Sequence, residues 1–169
     1  PGQAIPPQYL LSPAAAPPRT LIDDLYETAN RFPDAPAIDD GGVQLTYAEL
    51  DKARIRAAKA FIAAGLEKGE RIAIWAPNIY LWIIAAIGAQ SVGGVLVPLN
   101  TRYKGAEAGY ILRASGARML FTVGDFLGVS YPELLADQSL PSLERTVILS
   151  GTAAGCQSWD AFLAAGEAV

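Results

Sequence analysis

The chain has 169 residues, of which 51% are apolar and 18% are charged. This composition suits one globular domain and excludes a disordered chain. The formal net charge is −4 and the 13 Lys and Arg residues are scattered, which excludes a nucleic acid as partner. With no histidine and one cysteine, Cys156, the chain lacks the groups for an internal disulfide, a His/Cys metal cluster or Ser-His or Cys-His catalysis. This cysteine usage is typical of a cytoplasmic protein.

The N-terminal residues are predicted to form an arm. Residues 1–19 are rich in Pro and Ala and carry no charge before Arg19, so they lack the basic start and apolar core of a signal peptide. We expect these residues to be extended. Residues 20–169 are predicted to form one α/β subdomain.

A helix, a hairpin and a second helix open this subdomain. Thr20 can cap the first helix, whose apolar residues recur at helical spacing until Phe32 and Pro33 end it. Residues 37–47 predict a β-hairpin, because its two adjacent glycines can adopt the positive φ that a tight turn requires. Residues 48–64 predict the second helix.

An uncharged run of 21 residues, 79–99, follows a short buried strand predicted at residues 71–75. Its length alone would allow a membrane-spanning helix. Polar, Gly and Pro residues in its second half and the lack of basic flanks instead favour a helix at residues 80–92, a Gly-Gly turn and a strand at residues 95–97. No transmembrane segment is therefore expected. Pro98 has no N–H to donate and is expected to end the pairing of this strand.

The rest of the chain continues the alternation of helices and strands. Helices are predicted at residues 106–114 and 159–164, strands at 119–123 and 146–149, and a short turn at 132–136. Short apolar strands that alternate with helices are typical of βαβ units. The sequence therefore predicts an α/β fold with a parallel or mostly parallel sheet flanked by helices.

Two separated segments carry the strongest functional signal. Residues 45–50 read Leu-Thr-Tyr-Ala-Glu-Leu, and residues 93–103 read Gly-Gly-Val-Leu-Val-Pro-Leu-Asn-Thr-Arg-Tyr. A helix-capping box explains the first segment by itself. In this order and spacing, the two segments resemble the first two signature motifs of the AMP-forming adenylate synthetases, the ANL superfamily. Residues 74–78, 100–103 and 126–128 are most similar to bacterial fatty-acyl-CoA ligases and to ligases that activate the propionate side chains of degraded steroids.

The resemblance implies an acyl-CoA synthetase that uses ATP, Mg²⁺ and coenzyme A. A carboxylic acid, either a fatty acid or a steroid-derived side chain, would form an acyl-adenylate and then a thioester. The family's phosphate loop, later acidic motifs and catalytic lysine do not occur in this sequence. The chain is therefore expected to be an incomplete N-terminal part of the large domain, truncated before the phosphate loop. It should contain no catalytic or metal-binding residue, bind no cofactor and be inactive alone.

The candidate substrate-binding residues follow the strand predicted at 95–97. Ligands of open α/β sheets bind outside the carboxyl ends of the strands, which selects Asn100, Arg102 and Tyr103. In the structural alternative, Asn100 caps the next helix or turn and Arg102 pairs with an acidic neighbour. Residues 150–155 look like a phosphate loop but lack its lysine, so they are predicted to form a surface turn.

Two other functional hypotheses remain open. The chain could be a self-standing, non-catalytic binding or scaffolding module with the same α/β fold. It could also be a nucleotide-binding Rossmann domain, although no Gly-x-Gly-x-x-Gly follows a predicted strand. A subdomain without its partner layers would expose apolar surface, so self-association of the chain is also expected.

Overall fold

The computed structural model of the protein describes residues 19–169, so the predicted arm, apart from Arg19, lies outside the described residues. The helices are α1 (Leu21–Arg31), α2 (Tyr47–Ala63), α3 (Tyr80–Ser91), α4 (Gly105–Ser115), α5 (Tyr131–Leu134) and α6 (Trp159–Ala164). The strands are β1 (Pro36–Asp40), β2 (Val43–Thr46), β3 (Arg71–Trp75), β4 (Val95–Pro98), β5 (Met119–Val123), β6 (Arg145–Ser150) and β7 (Gln157–Ser158).

Local side-chain capping explains where the first two helices begin. The Thr20 hydroxyl accepts the Asp23 N–H at 3.2 Å, and the Asp23 carboxylate accepts the Thr20 N–H at 2.8 Å. Thr46 and Glu49 make the same reciprocal pair at the start of α2. Each pair satisfies amide groups that a helix leaves free at its start, so the predicted beginnings of α1 and α2 are confirmed to within one residue.

The main sheet has five strands in the order β4-β3-β5-β6-β7, and every neighbouring pair is parallel. The antiparallel hairpin β1-β2 stands apart from this sheet, with Gly41 and Gly42 in its turn at φ of 55° and 120°. The predicted α/β class with a parallel sheet is confirmed. Because all five strands run the same way, the loops that follow them lie at one edge of the sheet.

The core lies between the sheet and the helices that pack on it. Phe121 of β5 contacts Phe61 of α2 and Phe162 of α6, with ring centroids 5.1 and 5.2 Å apart. Helices α2 and α3 approach each other closely because Gly88 lacks a side chain, and a Cβ there would lie 2.5 Å from the Ala57 Cβ. Buried aromatic rings and small residues together hold α2, α3 and α6 to the sheet.

Strand β4 differs from the expectation that Pro98 ends its pairing. Pro98 is the last residue of β4 and lies opposite Ile74, and the next amide, Leu99 N–H, donates to the Ile74 carbonyl at 2.9 Å. The Val95 N–H also points to the β3 side, where it donates to the Glu70 carbonyl. Amides alternate in direction along a strand, so the Pro98 nitrogen faces the open edge, where its missing hydrogen costs nothing.

Strand β7 was not predicted, because two residues are too short for a periodic signal. The uncharged run 79–99 divides into α3, a glycine turn and β4, as predicted. Within residues 19–169, no helix combines the length and the apolarity needed to cross a membrane.

Candidate functional site

Asn100 is the first residue of a tight turn that follows β4, and its acceptor groups stabilise that turn. Its side-chain oxygen accepts the Arg102 N–H at 2.9 Å, and its carbonyl accepts the Tyr103 N–H at 3.1 Å. This side chain therefore has the structural role that the alternative hypothesis gave it. The turn, residues 100–103, places the next three side chains at the carboxyl edge of the sheet.

Arg102 and Lys104 both project from this turn as exposed cations. Neither side chain forms a hydrogen bond or an ion pair with any residue from 19 to 169, so no acidic neighbour for Arg102 is found there. The Lys104 N–H donates to the Glu107 carboxylate at 2.9 Å, which fixes the start of α4. Tyr103 is half-buried against the core. A ligand role for Asn100, Arg102 and Tyr103 stays a prediction.

Two buried aromatic side chains hold the main chain of the turn from below. The Trp75 indole N–H donates to the Asn100 carbonyl at 3.0 Å, and the Tyr131 hydroxyl donates to the Thr101 carbonyl at 2.9 Å. Their rings stack with centroids 4.4 Å apart and planes 13° from parallel. Burial raises the pKa of the Tyr131 phenol above its ordinary value, which keeps it a neutral donor near pH 7.

A cavity of about 410 Å³ opens between this turn and the chain that follows β5. One wall is formed by residues 101–104 and the other by residues 126–134. The lining is Thr101, Arg102, Tyr103, Lys104, Phe126, Leu127, Val129, Tyr131 and Leu134. The cavity thus combines an apolar interior with two cations at its rim, an arrangement that complements an anionic group attached to an apolar body.

The second wall begins with a tight turn at residues 126–129. Phe126 and Val129 exchange two main-chain hydrogen bonds, of 3.0 and 3.1 Å, around Leu127 and Gly128. Leu127 has a φ of 54°, which is unfavourable for a residue with a side chain, and is 86% exposed. Gly128 also has a positive φ, of 75°, as the central residues of such a two-residue turn require, so the turn geometry holds Leu127 in solvent beside the cavity.

Sequence reasoning did not identify this second wall as part of a site. Residues 126–128 contributed only to the resemblance, and Tyr131 lies next to the predicted turn 132–136. The loop after β5 reaches the site only because β5 and β4 flank the same strand, β3. The position of residues 126–134 after a predicted strand could have indicated that they belong to the site. That signal is useful only once the strand order is known, and strand order is not a local property of the sequence.

The phosphate-loop-like segment 150–155 forms a mostly exposed turn after β6, as predicted. Cys156 beside it is half-buried, and burial raises the pKa of its thiol, which disfavours a reactive thiolate. Among residues 19–169, no three Asp, Glu, Cys or His side chains are grouped so that they could hold a metal ion.

Comparisons with known proteins agree with the resemblance read from the motifs. The family model described as AMP-binding enzyme matches residues 25–165. The chain is 38% identical over 148 residues to the 3-[(3aS,4S,7aS)-7a-methyl-1,5-dioxo-octahydro-1H-inden-4-yl]propanoyl:CoA ligase of Mycobacterium tuberculosis, and 37% identical over 154 residues to the ligase of the same name from Rhodococcus jostii. These matches cover 88% and 87% of this chain.

The fold is also similar to solved structures. The apo structure of MbtA from Mycobacterium smegmatis superposes with a TM-score of 0.76 at 26% identity, over 86% of this chain and 27% of that chain. The matched part is 29% of the length of the Mycobacterium tuberculosis ligase and 30% of the Rhodococcus jostii ligase. The chain thus spans about three tenths of the curated relatives that it matches.

Proposed function

The chain belongs to the family of AMP-binding enzymes, and we propose that it forms the N-terminal part of an ATP-dependent acyl-CoA synthetase. The observation that carries this proposal is the 38% identity, over 88% of this chain, to a protein named as a CoA ligase. The apolar cavity with a cationic rim is consistent with it, since the substrates of such a ligase are anions with apolar parts.

The proposed reaction has two steps. A carboxylate oxygen of the acid attacks the α-phosphorus of ATP, so that an acyl-adenylate forms and pyrophosphate leaves. The sulfur of coenzyme A then attacks the acyl carbon, a thioester forms, and AMP leaves with the bonding electron pair. ATP and coenzyme A are both substrates, and the thiol proton is released in the second step.

The part of this reaction that we assign to residues 19–169 is the binding and orientation of an anionic substrate. Arg102 and Lys104 at the rim attract the charged group, while Phe126, Val129 and Leu134 contact its apolar body. Arg102 suits this role because its planar guanidinium can donate two parallel hydrogen bonds to a carboxylate or a phosphate. No group of Asp, Glu, Cys or His side chains among residues 19–169 could hold the Mg²⁺ ion that the resemblance implies, so we assign no role in Mg²⁺ binding to these residues.

The acid that we favour is a propanoate attached to a fused-ring body. Both relatives described above are named for such an acid, and the identity to them is 38% and 37%. A fatty acid is the second candidate within the same reaction. A cytoplasmic location is part of the proposal, since the half-buried, unpaired Cys156 has no need of an oxidising compartment.

The experiment compares the full-length protein with the 169-residue chain. We expect the full-length protein to exchange pyrophosphate into ATP in the presence of the bicyclic propanoate, and to form its thioester when coenzyme A is added. Octanoate serves as the fatty-acid competitor, and its preferred use would replace the substrate assignment. No acid-dependent exchange with either acid would overturn the proposal in favour of a non-catalytic binding module.

The same experiment tests the expected inactivity of the 169-residue chain. The chain spans about three tenths of its relatives, so we propose that other parts of the protein supply the groups around the phosphates. Acyl-adenylate formed by the purified chain above a no-enzyme control would contradict this.

A further inference from the structure

We propose that Trp75 and Tyr131 are positioning residues that hold the turn at residues 100–103 in its binding geometry. This inference rests on the proposed function, because it concerns how the ligand-facing turn of that enzyme is held. Neither side chain is assigned a contact with the reacting atoms. Their role is to fix the main chain of the turn so that the side chains of Arg102 and Tyr103 meet a ligand in one arrangement.

The first support is the way in which the polar atoms of these two side chains are used. Trp75 is fully buried and Tyr131 is 3% exposed, so each must find an internal partner for its N–H or O–H. Both partners are carbonyl oxygens of adjacent residues in the same turn, Asn100 and Thr101. Two stacked rings from different elements, β3 and α5, thereby hold two consecutive peptide groups.

The second support is that Trp75 is itself anchored in the sheet. Its carbonyl accepts the hydroxyl of Thr122, a fully buried residue of β5, at 2.7 Å. Thr122 lies directly opposite Trp75 in the parallel pair β3-β5. A chain of hydrogen bonds therefore runs from the centre of the sheet through Trp75 to the turn and ties the turn to the strands below it.

The third support is the division of work within the turn. Its main chain is engaged by Trp75, Tyr131 and the Asn100 side chain, whereas the guanidinium of Arg102 has no partner among residues 19–169. A fixed main chain that presents an exposed, unengaged charged side chain is an arrangement that suits ligand binding.

Tyr131 also joins the two walls of the cavity. Its hydroxyl bonds to Thr101 in one wall, and its ring contacts Phe126 edge-on in the other at a centroid distance of 6.3 Å. The same wall packs against α4, where the Leu134 carbonyl approaches the main chain of Gly105 so closely that a Cβ would not fit. The bond from Tyr131 to Thr101 therefore sets the width of the cavity as well as the position of the turn.

The test uses Tyr131→Phe and Trp75→Phe in the full-length ligase, with KM values for ATP, coenzyme A and the acid and kcat measured separately. Tyr131→Phe keeps the ring and removes one hydrogen bond, so we expect at least one KM to rise about ten-fold with kcat within about three-fold. Trp75→Phe should raise the same KM. Ile72→Val is the control for Tyr131→Phe, because this buried residue lies at the opposite end of β3 and its substitution costs about as much stability as the loss of one hydrogen bond.

A structural readout accompanies the kinetics. In protein labelled with 5-fluorotryptophan, the Trp75 fluorine resonance is identified by its loss in Trp75→Phe. We expect that resonance to shift in Tyr131→Phe, while the resonance of Trp159, which stacks on Phe162 in α6, does not. A shift of both would indicate a general loosening of the fold and would overturn the inference.

The remaining outcomes separate this inference from the proposed function. Unchanged KM values in both aromatic variants of an active ligase would overturn the positioning role alone. The same KM increase in Ile72→Val would also overturn it, because stability would then explain the effect. If the wild-type full-length protein shows no acid-dependent activity, the proposed function fails and this inference fails with it.

Discussion

The two edges of the main sheet use their charged side chains in opposite ways. At the amino ends of the strands, Arg118 donates to the carboxylates of Glu70 and Glu144 and to the Gly65 carbonyl, each at 2.7 Å. Arg71 donates to the carbonyls of Ser115 and Gly116 that end α4. Both of these arginines therefore join separate elements of the fold.

At the carboxyl ends, the corresponding work is done by neutral groups. The indole of Trp75, the phenol of Tyr131 and the amide of Asn100 fix the turn after β4. The cations Arg102 and Lys104 make no side-chain bond within the described range 19–169. The turn after β4 is therefore fixed without engaging these two cations, which stay exposed for an anionic ligand.

The largest expected effect comes from matched arginine substitutions at the two edges. In the full-length ligase, Arg102→Ala should lower kcat/KM by about 10- to 100-fold, the equivalent of one charge-assisted hydrogen bond, with the unfolding free energy changed by less than about 0.5 kcal/mol. Arg102→Lys should recover only part of this, because lysine lacks the planar fork. Steady-state kinetics and thermal melts measure both quantities.

Arg118→Ala is the matched control at the amino edge. It should lower the melting temperature, because two carboxylates and a carbonyl lose their donor, and leave kcat/KM within about two-fold. The comparison of the two edges would be broken by the reverse pattern, in which Arg102→Ala destabilises the fold and Arg118→Ala reduces activity.

The next effect concerns a carboxylate near the carboxyl edge that has a structural role. The Asp40 carboxylate, in the β1-β2 hairpin, accepts the Tyr80 N–H at 2.8 Å, whereas Ile79 at the N-cap of α3 has no side chain that can do so. Asp40→Ala should therefore cost about 1 kcal/mol of unfolding free energy, and Asp40→Asn less. Urea unfolding measures the change.

Asp39→Ala provides the control for this carboxylate. Among residues 19–169, the Asp39 carboxylate accepts a hydrogen bond only from the exposed Gln44 side chain. Its removal should therefore change the unfolding free energy by less than about 0.5 kcal/mol. Equal losses in the Asp39 and Asp40 variants would show that the hairpin, and not the helix cap, is responsible.

A smaller effect is expected from acid at the amino edge. The Glu70 carboxylate accepts hydrogen bonds from the Glu67 N–H, which has the larger effect, and from the Arg118 guanidinium. Both bonds lower the pKa of Glu70 below its ordinary value of 4.5. Its stabilisation is therefore complete above that value and is lost as the pH falls through the lower value of the folded state. Below about pH 5, the melting temperature of Glu70→Gln should therefore fall less with decreasing pH than that of the wild type. Identical pH profiles would exclude this contribution.

The smallest effect is expected for Cys156→Ala, in the turn after β6. The thiol is half-buried and has no catalytic or disulfide role in the proposed enzyme. The unfolding free energy should change by less than about 0.5 kcal/mol, and kcat/KM should not change. A larger loss of activity would extend the functional part of the carboxyl edge as far as β6.

Much of the local structure was predictable because it depends on residues close together in the chain. Thr20 with Asp23 and Thr46 with Glu49 are capping pairs three residues apart, and such a pair indicates a helix start without reference to the rest of the fold. The limits of β3, β5 and α6 were predicted to the residue from apolar runs and their flanking turns. Short-range sterics and hydrogen bonding are sufficient to specify such elements.

The candidate site was predictable only in part. Its first wall, residues 101–104, contains two of the three predicted residues, Arg102 and Tyr103, which were selected by their position after a strand. The second wall, the capping of α3 by Asp40 and the pairing of β7 were missed, because each depends on residues far apart in sequence. Pro98 was misjudged for the same reason, since only the strand order shows that β4 is an edge strand.

The α/β class, the family motifs and the side chains that emerge after β4 can all be read from the sequence. The position of β3 between β4 and β5 is visible only in the folded chain, and it brings Trp75 and Tyr131 under one turn and residues 126–134 across from that turn. Secondary structure follows from local propensity, whereas strand order follows from burial of the whole core. Contacts between distant loops exist only after that burial is complete.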